Sequence, residues 1–423
     1  VIAPPVEVHL DDERLGLVRV GILHPSFTGR NLASSSFQYD ESYLAAPGAF
    51  AVSPDLPLVT GRLWMPETHA LPGAFEDASP DEWGQRLIEA NHAERRKRDS
   101  SVPALRGAWD HLLGVSDASR LGALRFRATG AGEWLSSDGG VANIHEIDRV
   151  VRVAARYEAE DASEDDLAYL SDIATSPGGA RPKANVRRAD GRLALAKLPH
   201  SKDGDLDVER WEALGLTLAA RAGIATSEWT LHRASGEKSV LIVDRFDRTL
   251  DGSRTAYISA ASALGIGAND LSRYTYEQFS DVVNDLSADP REDLREMFSR
   301  IALTVLINNV DDHWRNHGFL RTRRGWRLAP VFDINPSTSS GVTASRPISD
   351  RDDPRARDLA NLLDVADAFS LAREEGARII RAVADQVRTW PEVAEGLGIP
   401  ERQRRRMARA FDEDRIAAAL VLA

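Results

Sequence analysis

Asn308-Asn309-Val310-Asp311-Asp312-His313-Trp314-Arg315-Asn316 follows the apolar run Leu303-Thr304-Val305-Leu306-Ile307, a polar loop set directly behind a buried helix. Asp311 and Asn316 are five residues apart. Protein-kinase catalytic loops have the same spacing, with the Asp orienting the attacking hydroxyl and the Asn ligating magnesium. Seventeen residues after Asn316, Leu328-Ala329-Pro330-Val331-Phe332-Asp333 sets another carboxylate just past a strand. Asn and Asp oxygens are hard ligands, suited to Mg²⁺ shared with phosphates. Four of the chain's eleven asparagines (308, 309, 316 and 335) fall in this stretch. The same string also fits a polar turn that caps helices, and spacing alone does not choose between the two. His313 and His317 invite a zinc reading, but no further His or Cys stands near them in sequence to complete a tetrahedral site.

Upstream, Ser176-Pro177-Gly178-Gly179-Ala180-Arg181-Pro182-Lys183 is a Gly-rich turn whose backbone N–H groups can approach phosphates closely. It matches neither a Walker A nor a G-x-G-x-x-G pattern, and alone it is an ordinary loop signal. Two strands follow, Ala184 to Arg188 and Arg192 to Leu198, with Asp190-Gly191 between them as a type I′ hairpin signal. Lys197 ends an apolar strand, where an ammonium needs an anion. The next segment, Leu206 to Ala222, has apolar residues at steps of three or four and reads as an amphipathic helix. Its Glu209 is the natural partner for Lys197, as in the strand-lysine and helix-glutamate pair with which kinases hold ATP phosphates. A surface ion pair is the plainer alternative.

The composition narrows the classes. Asp and Glu number 65 against 53 Lys and Arg, a net charge of −12, which argues against wholesale coating of nucleic acid. No cysteine is present, so disulfides, thiolate catalysis and Cys-ligated metal sites are excluded, in keeping with a reducing cytoplasm. Only five of the basic residues are lysines, and two of these, Lys183 at the end of the Gly-rich turn and Lys197 at the end of the second strand, bracket the candidate phosphate pocket. The clusters Arg95-Arg96-Lys97-Arg98 and Arg402 to Arg409 fit solvated helix faces or phosphate footprints. The longest apolar run, Ile416 to Ala423, is eight residues, too short to span a bilayer, and no targeting segment is evident. The first residue, Val1, is not Met, as in a processed or shortened chain.

Along the chain, Val6 to Leu10, Leu15 to Leu23 and Ser34 to Leu44 read as strands. Ser79-Pro80-Asp81-Glu82 reads as an N-cap Ser, a Pro at the first helical position and a Glu at the third, opening a helix to about Lys97. The Gly/Ser-rich stretch 130–140 reads as a boundary. Tyr276 to Leu286, Pro290 to Asn308 and the chain from about Asp358 onward read as helices, interrupted by a hairpin of Gly318 to Arg321 with Trp326 to Leu328.

Taken in order, Ser176 to Lys183, Ala196-Lys197-Leu198-Pro199, Val243-Asp244-Arg245-Phe246-Asp247-Arg248, Asn309 to Asn316 and Ala329 to Ile334 resemble the HipA family, bacterial serine/threonine kinase toxins of type II toxin–antitoxin systems. The β-rich start and Phe75 to Gly84 resemble that family's N-terminal module. The resemblance implies an α+β, protein-kinase-like two-lobed fold: a β-rich N-terminal module (1–135), a sheet lobe with Gly-rich loop, ATP lysine and hinge (136–255), and an all-helical C-terminal lobe with the catalytic and metal-binding loops (256–423). It implies ATP and Mg²⁺ as cofactors and Asp311 as catalytic residue. Asn316 and Asp333 would be the metal ligands, and Lys197, paired with Glu209, the ATP lysine. Further ATP contacts would come from Ser176, Gly178, Gly179, Lys183, Asp244, Phe246, His313 and Asn316, with Ser176 also the site of inhibitory autophosphorylation. Asp244 stands where the best-known member has Glu, Pro177 follows Ser176, and Asp312 occupies a position often held by Gly; the spacing to Asn316 favours Asp311 as the base. The implied partners are an aminoacyl-tRNA synthetase as substrate and a HipB-like helix-turn-helix antitoxin. Operator DNA would be reached through that antitoxin, and no membrane is involved. A small-molecule or lipid kinase of the same fold, or a catalytically dispensable partner in a repressor complex, are the alternatives.

Overall fold

The interleaved apolar and polar residues at the start of the chain form a sheet. In a computed structural model, β1 (Val6–Asp12), β2 (Gly16–Thr28), β3 (Asn31–Tyr39) and β4 (Arg62–Trp64) pair antiparallel in succession, and β5 (Leu124–Ala128) closes the other side in the order β4-β3-β2-β1-β5. The structure describes residues 3–66, 68–136, 140–175, 179–234, 238–267, 273–339, 346–353 and 357–423. By packing, the chain divides into two units, the first comprising 1–202 and 242–270, the second 203–241 and 271–423.

In the first unit, Val6, Val8 and Leu10 of β1 are buried, as the strand is flanked on both sides. The third predicted strand was read too far, because Glu41–Leu44 is one helical turn. Tyr39 and Tyr43 stack at 5.8 Å across this bend, and each hydroxyl donates to a backbone carbonyl, of Leu56 and Phe50, which fastens the turn where the strand ends. The helix opened by Ser79-Pro80-Asp81 is α1 (Glu82–Arg98), and its N-cap is Asp81 instead of Ser79. Asp81 Oδ1 accepts the Gly84 N–H at 2.7 Å, whereas the Ser79 hydroxyl turns back to the Phe75 carbonyl and closes the preceding short helix, Gly73–Asp77. Two further helices, α2 (Ile147–Glu158) and α3 (Glu164–Ile173), follow the β6 strand (Ala142–Asn143), each preceded by a reciprocal capping box, Asn143 with Glu146 and Ser163 with Asp166.

β6 runs parallel to β7 (Lys183–Arg187), which pairs antiparallel with β8 (Leu193–Lys197). Their connection differs from the predicted type I′ turn. The Gly191 N–H donates to the Arg188 carbonyl, and the Arg188 N–H to the Arg192 carbonyl, with Gly191 at φ +90°. This is a three-residue loop with glycine in the left-handed position.

In the second unit, α4 (Val208–Arg221) buries Trp211, Leu214 and Leu218, the apolar stripe read from the sequence. β9 (Trp229–Arg233) leads to β10 (Ser239–Asp244), within which the division between units falls. α5 (Tyr276–Leu286) is opened by the Thr275/Gln278 capping box, and α6 (Pro290–Leu306) by Asp289 with Pro290 at its first position. The hairpin of β11 (Gly318–Thr322) and β12 (Gly325–Leu328) follows, so the C-terminal segment is helical but not all-helical. α7 (Arg373–Val387) packs on α6. Among the described residues, no helix is long and apolar enough to cross a membrane.

Candidate active site

The polar loop after α6 is shaped by its own side chains. The Asn309 N–H bonds back to Thr304 at 2.9 Å, and Asn308 is left-handed at φ +51°, so the helix ends where the polar residues begin. Asn316 Nδ2 donates to the Asp311 carbonyl at 2.9 Å, and the Asn316 N–H to the His313 carbonyl at 2.8 Å. Beside this, Asp312 Oδ1 lies 2.8 Å from His317 Nε2, and its Oδ2 accepts the Tyr276 hydroxyl from the first turn of α5. Two side-chain links, 316 to 311 and 312 to 317, thus brace one loop in opposite directions.

The two adjacent aspartates have opposite environments. Asp311 is exposed, and Asp312 is buried with both oxygens occupied. Burial alone would raise the Asp312 carboxyl, but the charge and hydrogen bond of His317, with the charges of Arg357 and His313, hold it below the usual carboxylate range. With both oxygens engaged by protein side chains, Asp312 is not placed to take a proton from a substrate. His313, half-buried, leads into the turn Trp314–Asn316, and its Nδ1 has no hydrogen-bond partner among the described residues.

Asp333 sits in the same unit at φ +55°, an uncommon conformation for a residue with a side chain. Its neighbour Ile334 is set by α4: a Cβ on Gly215 would fall 2.4 Å from the Ile334 carbonyl oxygen, so the helix approaches this backbone only because residue 215 is glycine. The start of α4 is fastened too. Buried Asp207 accepts from the backbone N–H and the hydroxyl of Ser239, and Arg210 bonds to Ser239 and to the Gly398 carbonyl. Glu209 lies buried in that first turn.

Asn316 and Asp333 fit a magnesium ion in donor chemistry. Anchoring Nδ2 of Asn316 on a carbonyl leaves Oδ1, the amide atom able to ligate a hard cation, and Asp333 brings a carboxylate. Among the described residues, no three His, Cys, Asp or Glu side chains form a metal-binding group.

In the first unit, Ser176 and Gly178 lie outside the described residues. Gly179 is described at φ +102°, and its carbonyl accepts from Lys183 Nζ at 2.9 Å. Lys183, expected among the nucleotide contacts, is buried with its ammonium against Asp81, the cap of α1. α1 grips the same segment further, through Trp83 Nε1 to the Lys183 carbonyl and Arg86 to the Ala180 carbonyl. Lys183 and Lys197 stand opposite each other across β7 and β8. Like charges so placed repel, and Asp81 neutralises one of them beside the half-buried Lys197.

Asp244, expected among the ATP contacts, has its carboxylate held between Arg188 and Arg192. Phe246 is half-buried, 5.8 Å from the Tyr257 ring. Between and after them, Arg245, Asp247 and Arg248 turn inward: Asp247 is fully buried, paired with both arginines and accepting the Gly122 N–H at 2.7 Å, while Arg245 reaches the Ser119 carbonyl. The basic clusters are partly neutralised, Lys97 by Glu94, Arg98 by Glu164, and Arg402 and Arg406 by Asp205.

Sequence reasoning missed Tyr276, His317 in its pairing with Asp312, and the Asp81 to Lys183 pair. Tyr276 carried no polar signal of its own, since a tyrosine at the start of an amphipathic helix reads as core.

The profile of the HipA-like C-terminal domain matches residues 175–390, and that of the HipA N-terminal domain residues 7–108. The candidate kinase Y4mE of Sinorhizobium fredii is 24% identical over 193 residues, 40% of this chain, and the match spans 44% of that relative's length. Among solved structures, HipA of Shewanella oneidensis, in its complex with HipB and operator DNA, aligns over 98% of this chain and 96% of its own with a TM-score of 0.68 at 18% identity. The Helicobacter pylori proinflammatory kinase CtkA aligns over 57% of this chain and 92% of its own, with a TM-score of 0.42 and 14% identity. The Shewanella likeness extends the fold over nearly the whole chain, and with both family profiles matched in their proper order, this chain belongs to the HipA family.

Proposed function

We propose that this chain is an ATP- and Mg²⁺-dependent serine/threonine protein kinase of the toxin type. The observation that carries the reading is the contrast in the 311–316 loop: Asp311 is exposed and tied through its backbone to Asn316, five residues on, while Asp312 is buried and occupied. In the proposed reaction an acceptor hydroxyl oxygen bonds to the γ-phosphorus of ATP as the bond to the β–γ bridging oxygen breaks. ADP leaves with that electron pair, and the hydroxyl proton passes to the Asp311 carboxylate. Magnesium, held by Asn316 and Asp333 when bound, would neutralise charge on the phosphates. Lys197, with Glu209 as its ion-pair partner, is proposed for the nucleotide phosphates, and His313, Phe246 and the Gly-rich turn for further nucleotide contacts. Lys183 and Asp244 would act on that site through the residues they hold.

The toxin role, a cytoplasmic location and the three-part organisation 1–135, 136–255 and 256–423 are part of the same reading. An aminoacyl-tRNA synthetase is proposed as substrate, and phosphate on Ser176 as an off-switch, since about −1.5 to −2 charges in a phosphate-binding turn repel the triphosphate. The Shewanella complex supports a HipB-like antitoxin that carries the chain to operator DNA. The test is incubation of the purified chain with labelled ATP and a cell lysate. Label on a protein of synthetase size, lost in Asp311→Asn, is expected; label confined to small molecules or lipids overturns the protein-kinase reading.

A further inference from the structure

The loop carries one more group of residues whose burial is hard to understand as packing alone. Tyr276, Asp312 and His317 are all buried, and a hydroxyl, a carboxylate and an imidazole meet where apolar side chains of similar volume would cost less to desolvate. Asp312 takes a hydrogen bond on each oxygen, from the Tyr276 hydroxyl and from His317 Nε2 at 2.8 Å. Both contacts end on the carboxylate oxygens, so the hydroxyl and the imidazole each face Asp312 along a defined direction. Around them the ring of Trp314 stands edge-on to Tyr276 at 5.3 Å and 5.0 Å from Phe279, both residues of α5. At the start of the loop, the buried guanidinium of Arg357 donates to the Asn309 carbonyl at 2.7 Å. The loop is therefore held at Asn309, Asp312, Trp314 and His317, and between the first two of these supports Asp311 is left exposed.

We infer that Asp312 is a positioning residue, and that Tyr276 and His317 act through it to fix the Asp311 backbone and the Asn316 amide in the geometry that phosphoryl transfer needs. The adjacent aspartates divide the work: Asp311 meets the acceptor hydroxyl, and Asp312 meets only the protein. The inference rests on the reading of Asp311 as the proton acceptor. Directional hydrogen bonds do what apolar packing cannot, because they set the rotation of the loop as well as its depth. Loosening such a support displaces the reacting group without removing it. A misplacement of about 1 Å costs on the order of 100-fold in rate.

The experiment uses the full chain and four variants: Tyr276→Phe, His317→Leu, His317→Gln and the double variant Tyr276→Phe/His317→Leu. For each, kcat and KM for ATP are measured with a protein acceptor, and amide hydrogen exchange across 309–318 is measured without substrate. Tyr276→Phe and His317→Leu are expected to lower kcat between about 10-fold and 100-fold, with a smaller rise in KM for ATP because Asn316 shifts with the loop, and to speed exchange in the loop. The double variant should be little worse than the worse single variant, because both bonds act through one carboxylate. The His317→Gln amide nitrogen reaches as Nε2 does and should recover most of the rate and the protection. Unchanged kcat in the single variants overturns the inference, as does a loss that glutamine fails to restore or one confined to KM. Absence of phosphoryl transfer in the wild-type chain overturns the kinase reading instead; the exchange data then still decide whether Tyr276 and His317 hold the loop.

Discussion

Asn316 donates its side-chain amide to the backbone carbonyl of Asp311 at 2.9 Å, closing across five residues the gap that first marked this loop in the sequence. The bond gives the spacing a physical meaning. An amide fixed through its nitrogen presents its oxygen, and a carbonyl so engaged fixes the peptide that carries the exposed carboxylate. One contact thus couples the proposed proton acceptor to the proposed metal ligand.

Asp311→Asn keeps this contact, because it is made by the backbone. Phosphoryl transfer is expected to fall about 100-fold to 10,000-fold, the range for loss of a positioned base. Stability should stay within about 0.5 kcal/mol, as for other exposed sites. Labelled-ATP assays and thermal unfolding on the same preparation check both halves. An active Asp311→Asn, or one lost through unfolding, would remove the assignment.

Lys183 and Asp81 are tested as a pair. Their side chains are 2% and 5% exposed, so removing either partner strands a buried charge, at a cost of about 3–5 kcal/mol. Asp81→Asn retains an N-cap oxygen for Gly84 and isolates the charge effect. Lys183→Met and Asp81→Asn should each lower the urea unfolding midpoint, and the double variant should recover much of the loss. Activity distinguishes the roles: the double variant should regain phosphoryl transfer if Lys183 only positions the Gly-rich turn. A stable but inactive double variant would place the ammonium on the nucleotide.

How far the sequence could be read depended on the distance between interacting residues. The starts of α5 and α6 were legible because Thr275 with Gln278, and Asp289 with Pro290, settle them within four residues. The choice of Asp81 over Ser79 as cap was not, since Lys183 lies 102 positions away. The doublet at 311–312 was ambiguous for the same reason, as Tyr276 is 36 positions upstream of Asp312. Asp244 read as an ATP contact because Arg188 and Arg192 come to it from 56 and 52 positions off. β5 escaped notice because its arginines mask a short alternation; in the fold Leu124 and Phe126 face inward while Arg125 pairs with Asp11 and Asp117, and Arg127 with Glu7.

Gly215→Ala separates helix propensity from close packing. Alanine favours a helix interior by about 1 kcal/mol over glycine. Here its Cβ would meet the Ile334 carbonyl oxygen at 2.4 Å and Ile334 Cγ2 at 3.1 Å, so the backbone next to Asp333 must move. The expected result is a lower unfolding midpoint and at least about 10-fold less phosphoryl transfer, partly recovered by raising magnesium. A more stable variant with full activity would show that the approach of α4 does not set Asp333.

Asp247→Asn probes the buried charge cluster through pH. Asp247 lies between the guanidiniums of Arg245 and Arg248 at 2.6 Å and 2.7 Å. Burial alone would raise its carboxyl, yet the two cations and the Gly122 N–H hold it well below the usual carboxylate range. A group whose folded value lies below its unfolded one gives stability that is complete above the unfolded value, about 4, and is lost as pH falls further toward the folded value. At pH 7 the amide leaves both guanidiniums facing a neutral group, and a loss of about 3–5 kcal/mol is expected. Since the variant has no proton to take up at this position, the gap between the two proteins should be constant from about pH 7 to pH 5 and shrink below pH 4. Urea unfolding across that range measures it. A gap that stays constant or widens on acidification would mean that the carboxylate contributes through its shape and hydrogen bonds, with its charge already balanced elsewhere.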